Sequence, residues 1–184
     1  PQGRALDLGA FEFFQGQAPV PVTGPRVTRV VDAFSFDAGP LAPGKLFSIF
    51  GAGLGPADGI ATNFDAVTRR LPSSAGGVSV AINGRNIPLL FVRADQINAQ
   101  APYDLAGSGP ASVVVSGGGQ SSPPFEVSLD ATQPGLFPQG FHPDFSLVTE
   151  SNPARAGGVA IFFATGQGAT RPAADSGAPA PASP

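Results

Sequence analysis

The stretch Val78-Ser79-Val80-Ala81-Ile82-Asn83-Gly84-Arg85-Asn86-Ile87-Pro88-Leu89-Leu90-Phe91-Val92 decides the class of fold. Val78, Val80 and Ile82 alternate with the smaller Ser79 and Ala81, the period-two pattern of a strand with one buried face. Asn83-Gly84 follows at once. Asparagine and glycine tolerate the positive φ angles of a two-residue type I′ turn, whose twist matches that of a hairpin. The apolar run Ile87 to Val92 predicts the returning strand.

The same grammar extends in both directions. Val27 to Phe36 reads as a strand and Pro40 to Gly44 as a turn. Leu46 to Phe50 is apolar on both faces except at Ser48, as expected of a buried strand. Gly51 to Thr68 reads as a loop with room for a short helical turn. Ile97, Ala99 and Ala101 alternate with Gln96, Asn98 and Gln100, which predicts a strand with an amide-rich outer face. Ser112 to Ser116, Gly117-Gly118-Gly119 and Phe125 to Leu129 predict a last hairpin. Six or seven short strands separated by turn residues imply an all-β, immunoglobulin-like β-sandwich over residues 27–132.

Composition agrees with that class. The 184 residues include 25 Gly and 21 Pro, a level that raises the question of disorder. Apolar residues nevertheless reach 42%, and Gly and Pro punctuate Val/Ile/Phe/Leu runs instead of forming tracts. Charged residues make only 12%, the net charge is −3, and Lys45 is the single lysine, so nucleic-acid binding has almost no electrostatic support. With no cysteine, disulfides and thiolate metal sites are excluded. No apolar run approaches the roughly 18–20 residues that span a bilayer.

A second observation concerns organisation. Gly44-Lys45-Leu46-Phe47-Ser48-Ile49-Phe50-Gly51-Ala52-Gly53-Leu54-Gly55 aligns with Gly157-Gly158-Val159-Ala160-Ile161-Phe162-Phe163-Ala164-Thr165-Gly166-Gln167-Gly168. At that offset Pro184 corresponds to position 71, so Pro72 to about Asp130 has no counterpart in the second copy. Residues 133–184 therefore read as a partial second sandwich module with a Pro/Ala-rich tail that is expected to fray. Phe145 to Thr149 and Val159 to Ala164 are its expected strands. The second is written for a central position, and exposing its large side chains costs several kcal/mol at about 1.5–3 kcal/mol each.

Residues 1–26 form an extended amino-terminal arm. Ala5 to Phe14 has strand character, with Leu6 and Leu8 on one face. The phase slips near Gly9, so that Phe11 and Phe13 share a face, followed by Phe14. Pro19, Pro21 and Pro25 make the following segment a stiff linker. The arm reads either as an edge strand of its own domain or as a detachable strand serving another subunit.

Several stretches together carry a family resemblance. They are Val30 to Phe36, Leu41 to Gly51, Gly76 to Gly84, Gln96-Ile97-Asn98-Ala99-Gln100-Ala101-Pro102, Pro134-Gly135-Leu136-Phe137 and Ala164 to Gly168. The chain resembles, over about residues 27–175, the carboxy-terminal domain of secreted acidobacterial (Solibacter-type) proteins, whose modules are similar to the IPT/TIG immunoglobulin-like fold. The resemblance implies an exported, extracellular or cell-surface, non-catalytic module and supplies no catalytic residue. The Phe-rich arm and the interrupted second module depart from it.

Chemical motifs are weak throughout. Gly51-Ala52-Gly53-Leu54-Gly55 lacks the spacing and the helix of a dinucleotide-binding turn. His142 is the single histidine; Asp144 is near it, but no nucleophile-elbow motif occurs. Asp58 and Asp65 match no calcium-loop spacing. Gln96, Asn98 and Gln100 offer either a solvated strand face or an amide ladder for glycans or a neighbouring chain. No catalytic or metal-ligating residue and no cofactor is expected.

Three functions are compatible with these features. In the first, the open module is completed by the arm of another copy, making a non-enzymatic, head-to-tail homopolymer by β-strand complementation. Its donor residues are Leu6, Leu8, Phe11, Phe13 and Phe14; its acceptor residues are Phe145, Leu147, Val159, Ile161, Phe162 and Phe163. In the second, the chain is a spacer or adhesion segment of a larger secreted protein. In the third it is a carbohydrate-binding module, which the lack of Trp and the single Tyr103 disfavour.

Overall fold

The computed structural model describes residues 24–105 and 107–179, so the candidate donor strand 5–14 lies outside the described residues. The chain enters as β1 (Arg26–Asp32), β2 (Leu46–Ala52), β3 (Ile60–Ala61), β4 (Ser74–Ala75) and β5 (Val78–Ile82). It continues as β6 (Arg85–Asn86), β7 (Leu89–Val92), β8 (Gln96–Gln100), β9 (Gly109–Gly117), β10 (Gln120–Ser121) and β11 (Phe125–Leu129). The pair β12 (Gly135–Leu136) and β13 (Ala164–Thr165) follows. No helix occurs among the described residues, and the protein is all-β with an immunoglobulin-like sandwich at its centre.

One sheet has the order β1-β2-β8-β7-β3. The other runs β10-β9-β5-β4, with β11 also on β9 and β6 also on β5. All ladders are antiparallel. Phe47, Ile49, Ile97, Ala99, Leu89 and Val92 from the first sheet meet Val80, Ile82, Val113 and Val115 from the second, all essentially solvent-free. Burial of each large side chain contributes about 1.5–3 kcal/mol, so this layer carries most of the fold's stability.

The Asn83-Gly84 turn forms as expected, with φ of 49° and 81° and Ala81 paired to Asn86. The hairpin is shorter than the sequence suggests. Ile87 N still donates to Val80 O (3.0 Å), but Pro88 has no N–H for a ladder, and β7 crosses to the other sheet to pair with β8. Ile87 and Leu89, both fully buried, fill the core at that crossing. β2 is the buried strand expected, and β9–β11 is the last hairpin, with Phe125 opposite Val113.

Four further expectations change. β1 ends at Asp32, where its Oδ1 accepts from Phe34 N (2.7 Å) and Ser35 N (2.9 Å) and turns the chain. The loop after β2 holds a turn, not a helix, built on Asp65 Oδ1 accepting from Val67 N and Thr68 N. Phe145 to Thr149 forms only bridges, because Phe145 sits in a turn at φ 63° with its N–H on His142 O. Val159 to Ala164 is extended by ladder pairing only at Ala164 and through an Ile161–Phe141 bridge.

Candidate assembly interface

Residues 133–179 are fastened to the sandwich at two places. The first is built around Lys45, just ahead of β2. Its Nζ lies 3.2 Å from Asp32 Oδ2 and donates to Pro40 O (3.3 Å) and Gln133 O (3.2 Å). Asp32 Oδ2 accepts no hydrogen bond from a described residue, so charge rather than a directed N–H holds the pair. Gly135 lies directly over that carboxylate, where a Cβ would overlap it. Thr165 Oγ1 accepts from Leu46 N at 2.7 Å, and Gln133 N donates to Gly166 O at 2.8 Å.

An aromatic series continues from this junction. Phe34 meets Phe137 edge-on with centroids 5.7 Å apart, Phe137 stacks on Phe141 at 6.1 Å, and Phe141 meets Phe163 at 5.4 Å. Such pairs add about 0.5–1.5 kcal/mol beyond burial.

The second attachment is the tail. Asp175 pairs with Arg70 (2.5 Å), Arg70 Nη1 donates to Ser176 O, and Tyr103 N donates to Ser176 Oγ (2.9 Å). Gly177 O accepts from Leu71 N (2.8 Å), and Gly177 N donates to the buried Gln100 Oε1 (2.7 Å). Asp175, Ser176 and Gly177 are thus joined to the sandwich by specific bonds. The amides have internal partners too: Gln96 Nε2 and Ser48 Oγ both donate to Asn98 Oδ1.

Between these attachments the predicted acceptor residues stand largely in solvent. Phe145, Leu147, Val159, Phe162 and Phe163 are between 43% and 68% exposed, and Ile161 is half-buried. Leu147 and Ile161 converge because both bridge Phe141, and Phe162 lies against Gly140. Phe145 stands apart in its turn. A core-forming strand sequence left outside a core is the feature that sets this surface apart.

The polar groups nearby show no catalytic geometry. Ser146 Oγ donates to Asp144 Oδ1 (2.7 Å), while His142 Nε2 faces Asn152 O (3.1 Å), so serine and histidine do not meet. Those hydrogen bonds, Ser146 Oγ foremost, hold the Asp144 carboxyl below its usual range. Asp65 is likewise lowered, first by the Thr68 backbone N–H. No cluster of three potential metal ligands occurs among the described residues. No helix there is long and apolar enough to cross a membrane.

Comparison with known families matches residues 30–128 to the IPT/TIG domain, from within β1 to within β11 and over more than half of the chain. The chain belongs to the IPT/TIG family. Comparison with curated proteins returns no match. IPT/TIG domains are typically non-catalytic immunoglobulin-like modules. The IPT/TIG match covers the sandwich and stops before the exposed face of residues 133–179.

No local sequence pattern marks Asp32, Arg70, Gln100, Tyr103 or Thr165 as attachment residues. One signal was available: a lone lysine between Gly44 and the apolar run of β2 is poorly placed for a solvated charge.

Proposed function

We propose that this chain is a non-enzymatic, extracellular structural protein in which each IPT/TIG sandwich is joined head-to-tail to the next by β-strand complementation. The observation that carries the reading is the apolar segment Val159 to Phe163, exposed at every residue but the half-buried Ile161, a repeat of β2, whose Phe47, Ser48 and Ile49 are buried. An exposed repeat of a core strand is an energetic liability unless another strand covers it. The arm, with Leu6, Leu8, Phe11, Phe13 and Phe14, has the alternating apolar pattern such a strand needs. Donor and acceptor lie at opposite ends of the sequence, so the contact is heterologous and propagates into a filament unless it closes a ring. The extracellular location rests on the resemblance to secreted acidobacterial domains.

Deleting residues 1–16 tests this. The full chain is expected to form filaments by negative-stain electron microscopy and the truncated chain to stay dispersed; filaments of normal length from the truncated chain remove the donor role.

A second reading is favoured by the Lys45 junction. A buried ion pair, Thr165 Oγ1 and the Phe34–Phe137 contact hold residues 133–179 against the sandwich, as suits a stiff spacer or adhesion segment. In that case the full chain remains monomeric at all concentrations.

A further inference from the structure

The repeat at an offset of 113 extends to which edge of each strand is hydrogen-bonded. In the sandwich, β2 lies between β1 and β8. Leu46 O accepts from Ala33 N on the β1 side, whereas Lys45 O accepts from Ala101 N and Gly51 N donates to Asp95 O on the β8 side. Backbone groups alternate along an antiparallel strand, so Leu46, Ser48 and Phe50 address β1, while Phe47 and Ile49 address β8.

In the second copy, Ile161 stands for Ser48 and Phe163 for Phe50. Ile161 exchanges both bonds with Phe141 (2.8 and 2.9 Å), and Phe163 O accepts from Phe137 N (2.8 Å). Segment 135–141 therefore plays the part of β1. Ala160 and Phe162 stand for Phe47 and Ile49. Among the described residues their N–H and C=O groups take part in no hydrogen bond, and both residues are exposed. Among the described residues, none takes the place of β8 in the second copy. Asp175 to Gly177 do not supply it, because they are bonded to Arg70, Leu71, Gln100 and Tyr103 on the sandwich.

We propose that the edge of Ala160 and Phe162 takes the arm of a second copy as a strand antiparallel to Val159–Phe163, with Phe13 opposite Ala160 and Phe11 opposite Phe162. This rests on the self-assembly reading above and specifies its contact. Polarity follows from β8, which runs antiparallel to β2 with Ile97 opposite Ile49 and Ala99 opposite Phe47. The register follows from spacing and volume. Ile97 and Ala99 enclose the amide Asn98, as Phe11 and Phe13 enclose Glu12. The large Phe47 faces the small Ala99, and the small Ala160 facing Phe13 restores the same combined volume.

The absence of cysteine allows a clean crosslinking test in the full chain. The register puts Phe14 opposite Val159 in a non-hydrogen-bonded pair, whose short Cα separation suits a disulfide. Mixing the Phe14→Cys and Val159→Cys variants under mild oxidation is expected to give a disulfide-linked dimer in roughly tenfold excess over Ala10→Cys with Val159→Cys, because Cα atoms more than about 7 Å apart are not bridged. Preferential linkage through Ala10→Cys overturns the polarity. No linkage from either pair while filaments persist overturns the slot but leaves self-assembly standing. A Phe14→Cys, Val159→Cys double variant that links only within one chain overturns the second copy as donor. An unmodified chain that stays monomeric removes the self-assembly reading as well.

Discussion

Lys45 Nζ lies 3.2 Å from Asp32 Oδ2, with each side chain only 3% exposed. The pair sits where the sandwich meets residues 133–179, and Lys45 also donates to Gln133 O across that boundary. Removing one partner strands a buried charge. Lys45→Ala is therefore expected to destabilise the protein by about 3–5 kcal/mol in urea unfolding, while Asp32→Asn with Lys45→Met recovers much of the loss. A single-variant loss under 1 kcal/mol contradicts the buried pair.

Gln100 tests the tail attachment separately. Its Oε1 is the partner of Gly177 N, and Gln100→Ala leaves that N–H without an acceptor at a cost of about 1–3 kcal/mol. Hydrogen exchange at Gly177 and Leu71 is expected to accelerate while Val80 and Val115 in the core remain protected. Unchanged exchange at Gly177 contradicts the clamp.

Gly84 tests the turn. At φ 81° a Cβ is strained, so Gly84→Ala is expected to cost about 1–2 kcal/mol in thermal or urea unfolding. A neutral result means that the turn is not type I′.

Asp144 gives a pH-dependent outcome. Hydrogen bonds from Ser146 Oγ and then Ser146 N favour its ionised form and lower its pKa from 3.8. A depressed carboxyl pKa contributes stability that is present above the unfolded value and lost as pH falls through the folded one. An NMR titration of the Asp144 carboxyl is expected to show a midpoint below 3.8, and Ser146→Ala to raise it. A midpoint at or above 3.8 contradicts the turn geometry.

Local patterns in the sequence foretold local structure well. Alternation in Val78 to Ile82, the Asn83-Gly84 turn and the doubly apolar β2 each carry their outcome within a few residues. The crossing of β7 was hidden because its apolar pattern suits either sheet; only the two-sheet core decides which one it joins. Asp175 to Gly177 bond to residues 70–103, far away in sequence, and a Pro/Ala-rich context signals nothing of that. The exposure in Val159 to Phe163 was partly legible: the segment repeats a strand that has two neighbours in the sandwich, while Phe145's left-handed turn and the pairing with segment 135–141 required the fold.

The central claim is that Val159 to Phe163 is covered by another copy, and sedimentation velocity of the full chain with and without Phe162→Asp tests it most directly. Phe162 is 54% exposed and outside the sandwich core, so the substitution leaves the IPT/TIG fold intact. The account predicts a concentration-dependent ladder of species that collapses to the 18.4 kDa monomer in Phe162→Asp. A monomer at every concentration, or a ladder unchanged by the substitution, contradicts it.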